Sequence, residues 1–261
     1  MSALKITILG CGSSFGVPLF HNIWGKCDPK EPKNIRSRPS ILVQKNGKNL
    51  LIDTSPDLKQ QILSNKIENI DAVFYTHEHA DHTHGINELR SINLIHGKII
   101  PCYGNEQTMD KITNSFNYLF ENTEKSYYPA ILSKNLFSSK EFEIFGINIK
   151  LINQNHGDID SIGFIFDNKI AYNLDVKYFY DQDKYFKKIE NIDHWIVGCL
   201  RIDPHISHAS LAEVKEWLDI VKPKKAYLSH MTAHLDFKDT LIYLDNPNYM
   251  PGYDGQILEI K

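Results

Sequence analysis

Residues 75–85, which read YTHEHADHTHG, bring together His77, His79, Asp81, His82 and His84, side chains able to bind a metal. A neutral imidazole offers a nitrogen lone pair near neutral pH, and a neighbouring carboxylate adds a hard anionic oxygen, so this mixture suits a divalent ion. Residues 71–76 ahead of it read as a short apolar strand, whose extended continuation would carry His77 and His79 to one face. Asp81 and His82 fall where a helix marked by Ile86, Leu89 and Arg90 begins. There they can face a second ion about 3.5–4 Å from the first, the separation used by two-metal hydrolases. A solvated loop that is merely rich in histidine is the plain alternative, and the apolar strand directly before it weighs against that.

A metal cluster with an open position needs ligands from other parts of the chain. His156 follows the strand-like run 147–152, Asp175 follows 169–174, and His230 follows 225–229. Strand ends are where layered α/β proteins place their chemistry. Singly, an Asp after a strand reads as a helix cap and a His as a satisfied polar residue; recurrence after four strands points to one shared site. The four cysteines, Cys11, Cys27, Cys102 and Cys199, are widely separated and form no paired zinc motif, so they read as free and mostly buried thiols.

From Asp53 in LIDTSPD, through the His-x-His-x-Asp-His block, to His156, Asp175 and His230, the chain resembles the metallo-β-lactamase fold superfamily over essentially its whole length. The resemblance implies an α/β protein built as a four-layer αββα sandwich. It implies two divalent ions, zinc or manganese: His77, His79 and His156 on one, Asp81, His82 and His230 on the other, with Asp175 bridging. Asp53 would accept a hydrogen bond from a ligand imidazole and fix its orientation. His84 falls outside the block and is expected at the helix start or beside the ligands.

The segments ILGCGSSFGVP, RSRPSILV, YLSHMTAHLDF and PGYDGQILEI are similar to the PhnP-like phosphoribosyl cyclic phosphodiesterases. By that similarity His208, in PHISHASL, approaches the scissile phosphate, with His205 as its nearby competitor. Ser207 or Ser210 is expected to cap the helix 211–221. Many of that group carry a cysteine-rich loop that binds a structural zinc. Here the loop keeps only Cys27 and the matching C-terminal position is Ala233, so no such zinc is expected.

The implied function is a dinuclear metal-dependent phosphodiesterase acting on a small ribose cyclic phosphodiester, either phosphoribosyl 1,2-cyclic phosphate or a 2′,3′-cyclic nucleotide. Asp81 would take the proton of the attacking water, and a protonated His208 would give one to the leaving alkoxide. A tRNA 3′-end processing endonuclease is the alternative, disfavoured because no long flexible arm is evident. A non-hydrolytic metal- or oligonucleotide-binding protein on the same fold is the third reading. Ser13 and Ser14, in the glycine-rich turn 10–16, could offer N–H groups and hydroxyls to a phosphate, or the turn could simply reverse the chain. Arg36, Arg38, Arg90 and Arg201 are candidate phosphate clamps, with surface ion pairs as the plainer explanation for each.

With 261 residues, 42% of them hydrophobic, the chain is long enough for one large core and reads as a single domain, 1–261. Its formal net charge of −3 makes long nucleic acid a weaker partner than a small phosphodiester or nucleotide. No apolar run approaches the ~20 residues of a membrane span, and the start enters a strand without a signal pattern, so a cytoplasmic protein with no membrane partner is expected. Asn46-Gly47 predicts a type I′ hairpin, and 145–146 and 167–168 predict two more. Helices are expected over 58–65, 107–119 and 209–220, with a shorter one after Asp236. The irregular aromatic stretch 121–139, containing Tyr127-Tyr128-Pro129, is expected at the site's rim, at the contact of a homodimer, or as a packed surface loop.

Overall fold

The computed structural model describes residues 3–122 and 129–260; Tyr127 and Tyr128, expected at a rim or subunit contact, lie outside the described residues. The strands are β1 (Leu4–Gly10), β2 (Ser40–Lys45), β3 (Lys48–Ile52), β4 (Ala72–Phe74), β5 (Ile100–Gly104), β6 (Leu132–Leu136), β7 (Glu141–Ile144), β8 (Ile147–His156), β9 (Ile159–Phe166), β10 (Ile170–Asn173), β11 (Tyr178–Phe179), β12 (His194–Gly198), β13 (Lys225–Ser229), β14 (Tyr249–Pro251) and β15 (Gln256–Ile260). The helices are α1 (Leu58–Ser64), α2 (Ala80–Thr83), α3 (Leu89–His96), α4 (Glu106–Ser115), α5 (Asn117–Phe120), α6 (Gln182–Ile189), α7 (Leu211–Val221) and α8 (Phe237–Leu244).

Two mixed sheets face each other. One runs β15-β1-β2-β3-β4-β5-β6 and the other β11-β8-β9-β10-β12-β13-β14, with β7 on the edge of β8. Each begins with antiparallel hairpins and ends in parallel strands. The expected hairpin turns are present: Asn46 and Gly47, Phe145 and Gly146, and Asp167 and Asn168 all have positive φ, the twist that type I′ turns share with their strands.

Period-two alternation decides which layer each side chain joins. Leu50 and Ile52 of β3 and Phe74 of β4 face the second sheet and join Phe164, Phe166 and Tyr172. The intervening Leu51 and Val73 point outward, under Leu58, Leu89, Ile92, Met109 and Ile112 of the helices. Phe186, Ile189, Val214 and Leu218 bring α6 and α7 onto the second sheet. Burying each such side chain stabilises by about 1.5–3 kcal/mol, so the two faces hold the four layers together.

Two helical expectations differ from the structure. The helix over 107–119 is broken at Phe116, whose φ of −127° leaves the helical region. Helix α6 lies outside the expected helical ranges: Lys187-Lys188 reads as a solvated helix end, but the apolar set Tyr185, Phe186 and Ile189 is too short and too charged in its surroundings to give the helix its bounds. Ser210, rather than Ser207, caps α7, in a reciprocal box with Glu213. No helix among the described residues is long and apolar enough to cross a membrane.

Candidate metal centre

Parallel strands carry the candidate residues at their carboxyl ends, as open α/β sheets commonly do. Asp53 follows β3, the His77–His82 block follows β4, Asp175 follows β10 and His230 follows β13. His156 ends β8. Asp53, Asp175 and His230 sit in the left-handed region with φ of 63°, 51° and 58°. Asp and His are among the few side chains that tolerate it. Asp175 is therefore no helix cap, the plain reading of an Asp after a strand.

Outer hydrogen bonds fix the tautomers. Asp53 accepts the Thr76 N–H on Oδ1 and the Thr76 O–H on Oδ2, both at 2.8 Å. The Thr76 oxygen is then an acceptor for His77 Nδ1–H, 2.9 Å away. His82 Nδ1–H donates to Asp53 Oδ2 at 2.7 Å, and His156 Nδ1–H donates to the Ser207 carbonyl at 2.9 Å. Each ring thereby turns its Nε2 inward, and the Nε2 of His77 is buried with no hydrogen-bond partner. An orphaned atom of this kind is costly in a dry interior. Thr76 and Ser207 carry parts of this arrangement that sequence reasoning missed; Thr76 directly precedes His77, which was the one available signal.

Spacing tests whether a cation fits among these atoms. Nitrogen ligands about 2.0–2.1 Å from a tetrahedral zinc stand about 3.3–3.4 Å apart. His156 Nε2 and His79 Nδ1 are 3.2 Å apart. His82 Nε2 is 3.1 Å from Asp175 Oδ2, and His230 Nε2 is 3.3 Å from Asp175 Oδ1 and 3.4 Å from Asp81 Oδ2. The donors form overlapping groups, His77/His79/His156, His77/His82/Asp175, Asp81/His82/His230 and His156/Asp175/His208, each with its ligand atoms within 4.8 Å of one another. The donor set fits a metal centre, with Asp175 between its two sides.

Charge follows the same map. Burial, then His82, hold His77 well below the ordinary imidazole range, and burial and His156 lower His79; both rings are neutral and ready to ligate. Burial would lower His82 too, but Asp175, Asp81 and Asp53 pull it well above. Burial opposes ionisation of Asp81, yet His82 and His230 hold it well below the usual carboxylate range. Asp81 is thus a weak base, which bears on its expected role. Burial lifts Asp53 despite His82 and Thr76.

His208 packs into the same group, its ring 4.6 Å from His156 and 4.9 Å from His230. Burial, with His230, His156 and His205 against Asp175, pushes it down to about 3. The ring is therefore neutral at pH 7 in the metal-free protein, not protonated as expected. His205 lies 5.3 Å from it and accepts from Ser207 on Nδ1.

Other expectations are redistributed. Ser13 is buried, its N–H spent on the Met231 carbonyl and its carbonyl on Gly16, so only the exposed Ser14 faces solvent. His84 ends α2 rather than starting a helix, and its ring meets Phe116 edge-on at 5.6 Å. Arg36 is neither a phosphate clamp nor a surface ion pair. It is 1% exposed, and its guanidinium binds the Thr232 and Leu235 carbonyls and Asn34 Oδ1. Arg38 forks onto Asp57 at 2.6 and 2.9 Å, and Arg201 binds the Asp203 and Pro204 carbonyls. All four cysteines are free and buried.

Known proteins resemble this chain in sequence and in fold. A crystal structure described as a new diphosphatase from the PhnP family superposes with a TM-score of 0.87 at 30% identity, covering 99% of this chain and 97% of that one. The octanoyltransferase of Porphyromonas gingivalis is 26% identical over 257 residues, 97% of this chain but 51% of that protein. The ribonuclease Z of Methanopyrus kandleri is 36% identical over 76 residues, 28% of this chain and 27% of that protein. This chain spans about half the length, or less, of the curated relatives it matches. The family model described as "Beta-lactamase superfamily domain" matches residues 48–231. That match covers more than half of the chain and holds every candidate ligand, so the protein belongs to the β-lactamase superfamily, with the metallo-β-lactamase fold.

Proposed function

We propose that the protein is a dinuclear metal-dependent phosphodiesterase acting on a small ribose cyclic phosphodiester. The observation that carries this is the placement of His208 against His156 and His230, beside a seven-donor His/Asp centre. His77, His79 and His156 would hold one ion, Asp81, His82 and His230 the other, and Asp175 both. When bound, two zinc or manganese ions would stabilise charge on phosphoryl oxygens and lower the pKa of a water to about 7. Asp53, Thr76 and the Ser207 carbonyl keep the imidazoles in the ligating tautomer. Asp81, held anionic, accepts a hydrogen bond from the attacking water and orients it. His208 presents an N–H to the phosphate or the leaving oxygen, and the negative charge of an arriving phosphodiester raises its proton affinity.

A second reading, cleavage of a diphosphate linkage, is supported by the 30% identity to the PhnP-family diphosphatase. The acyl transfer named for the P. gingivalis protein is not carried over, since this chain spans 51% of it. Turnover should be measured after chelation and stepwise return of zinc or manganese. The substrates are a ribose 1,2-cyclic phosphate, a 2′,3′-cyclic nucleotide, an organic diphosphate, precursor tRNA and bis-p-nitrophenyl phosphate. Preference for the cyclic esters supports the proposal; preference for the diphosphate or the tRNA replaces it, and no turnover on any supports a binding protein. His208→Ala should lower turnover by roughly 10²–10⁴-fold with metal content unchanged. Loss of metal in that variant would make His208 a ligand.

A further inference from the structure

We propose that Gln154, Ser161 and Asn173 form a positioning network that holds Asp175 in place from inside the core and thereby sets the affinity of the metal centre. This rests on reading Asp175 as a metal ligand. The three residues lie on β8, β9 and β10, adjacent strands of one sheet, at the end where His156 and Asp175 leave it. All three are 0% exposed.

The hydrogen bonds run in one direction only. Trp195 Nε1 can only donate, and it donates to Asn173 Oδ1 at 2.9 Å, beside the Tyr185 hydroxyl at 2.6 Å. The Asn173 amide nitrogen therefore faces Gln154 Oε1, to which it donates at 2.9 Å. That leaves the Gln154 nitrogen to donate to the Leu174 carbonyl and, at 3.0 Å, to Ser161 Oγ. The Ser161 O–H is then committed to the Asp175 carbonyl, 2.8 Å away. The chain ends on the two carbonyls flanking the left-handed turn from which the Asp175 carboxylate projects.

Stability alone does not account for this arrangement. Buried amides cost free energy unless fully paired, and the surrounding cluster is apolar, so hydrophobic side chains would fill the same space without that risk. Room has also been made for it: a Cβ on Gly163 of β9 would lie 2.3 Å from Asn173 Nδ2 and 2.7 Å from Gln154 Oε1. A bridging carboxylate in a strained turn needs its peptide planes held, and these bonds hold them.

Zinc affinity of the metal-free protein, by competition with a chromophoric chelator, tests the proposal. Melting temperature is recorded alongside, for Ser161→Ala, Asn173→Asp, Asp175→Asn and Phe166→Leu. Ser161→Ala, the mildest change, and Asn173→Asp should each weaken zinc binding by about 10–100-fold, the usual range for partners of metal ligands. Phe166→Leu, in the same core but outside the network, should lower the melting temperature and leave affinity within about twofold. If Ser161→Ala and Asn173→Asp melt lower but bind zinc like the unaltered protein while Asp175→Asn does not, the network is structural and the proposal is overturned. If Asp175→Asn also keeps full affinity, the ligand assignment falls and the proposal with it.

Discussion

Asp53, Asp81 and Asp175 share one small volume with six imidazoles, and each ring's charge is set by burial and by which of them it faces. His82 touches all three carboxylates and is drawn towards the protonated form. His208 faces three other rings and only Asp175, and is driven to about 3 by burial first and by those rings second. The unfolded chain protonates such a ring near 6.5, so below that pH unfolding takes up a proton the folded protein refuses. Stability from this residue is therefore present above about 6.5 and falls by up to 1.4 kcal/mol per pH unit below it, down to about 3. His208→Gln removes that dependence. Between pH 7.5 and pH 5 the metal-free wild type should lose roughly 2 kcal/mol relative to His208→Gln in urea unfolding. A constant difference across that range would contradict the shift.

Two short segments far apart in sequence meet at the first half of the centre. Thr54 N–H donates to the His82 carbonyl at 2.7 Å and Gly85 N–H to the Thr54 carbonyl at 2.9 Å, zipping the turn after β3 to α2. A Cβ on Gly85 would lie 1.9 Å from the Ser55 carbonyl oxygen. Gly85→Ala must separate the two segments and stretch the Asp53–His82 bond. It should cost about 1–3 kcal/mol, as overpacking does, with a lowered urea midpoint and weaker zinc retention on dialysis; an unchanged midpoint would show that the segments part freely. Hairpins were legible because Asn-Gly and its relatives have few alternatives, and α7 because a capping serine stands directly before its apolar run. The bounds of α6 were hidden by its charges, and no local signal marks the contact between Gly85 and Ser55.

At the scale of the molecule, the centre is divided between the sheets. The first contributes His77, His79, Asp81 and His82, and the second His156, Asp175 and His230, so the full donor set comes together only in the folded chain. Ions that bind that state and not the unfolded one stabilise it, by about 4 kcal/mol at a thousand times Kd. Returning zinc or manganese to chelated protein should raise the melting temperature by on the order of 10 °C. No rise with either ion would remove the metal centre as an explanation for the cluster.

The composition of the site was written in local sequence. Ligand-type residues directly after apolar strands can be recognised without coordinates, because strand ends and side-chain chemistry are both local properties. That is why His77, His79, Asp81, His82, His156, Asp175 and His230 could be named together. Arg36 could not be read that way: its buried position depends on the Thr232 and Leu235 carbonyls, nearly two hundred residues away. Only the packed sheets decided that Thr76 and Ser207 set the tautomers, that His208 is neutral, and that Asp175 is braced by Gln154, Ser161 and Asn173. Those outcomes depend on burial and on partners brought together by the fold, which residue type and spacing do not encode.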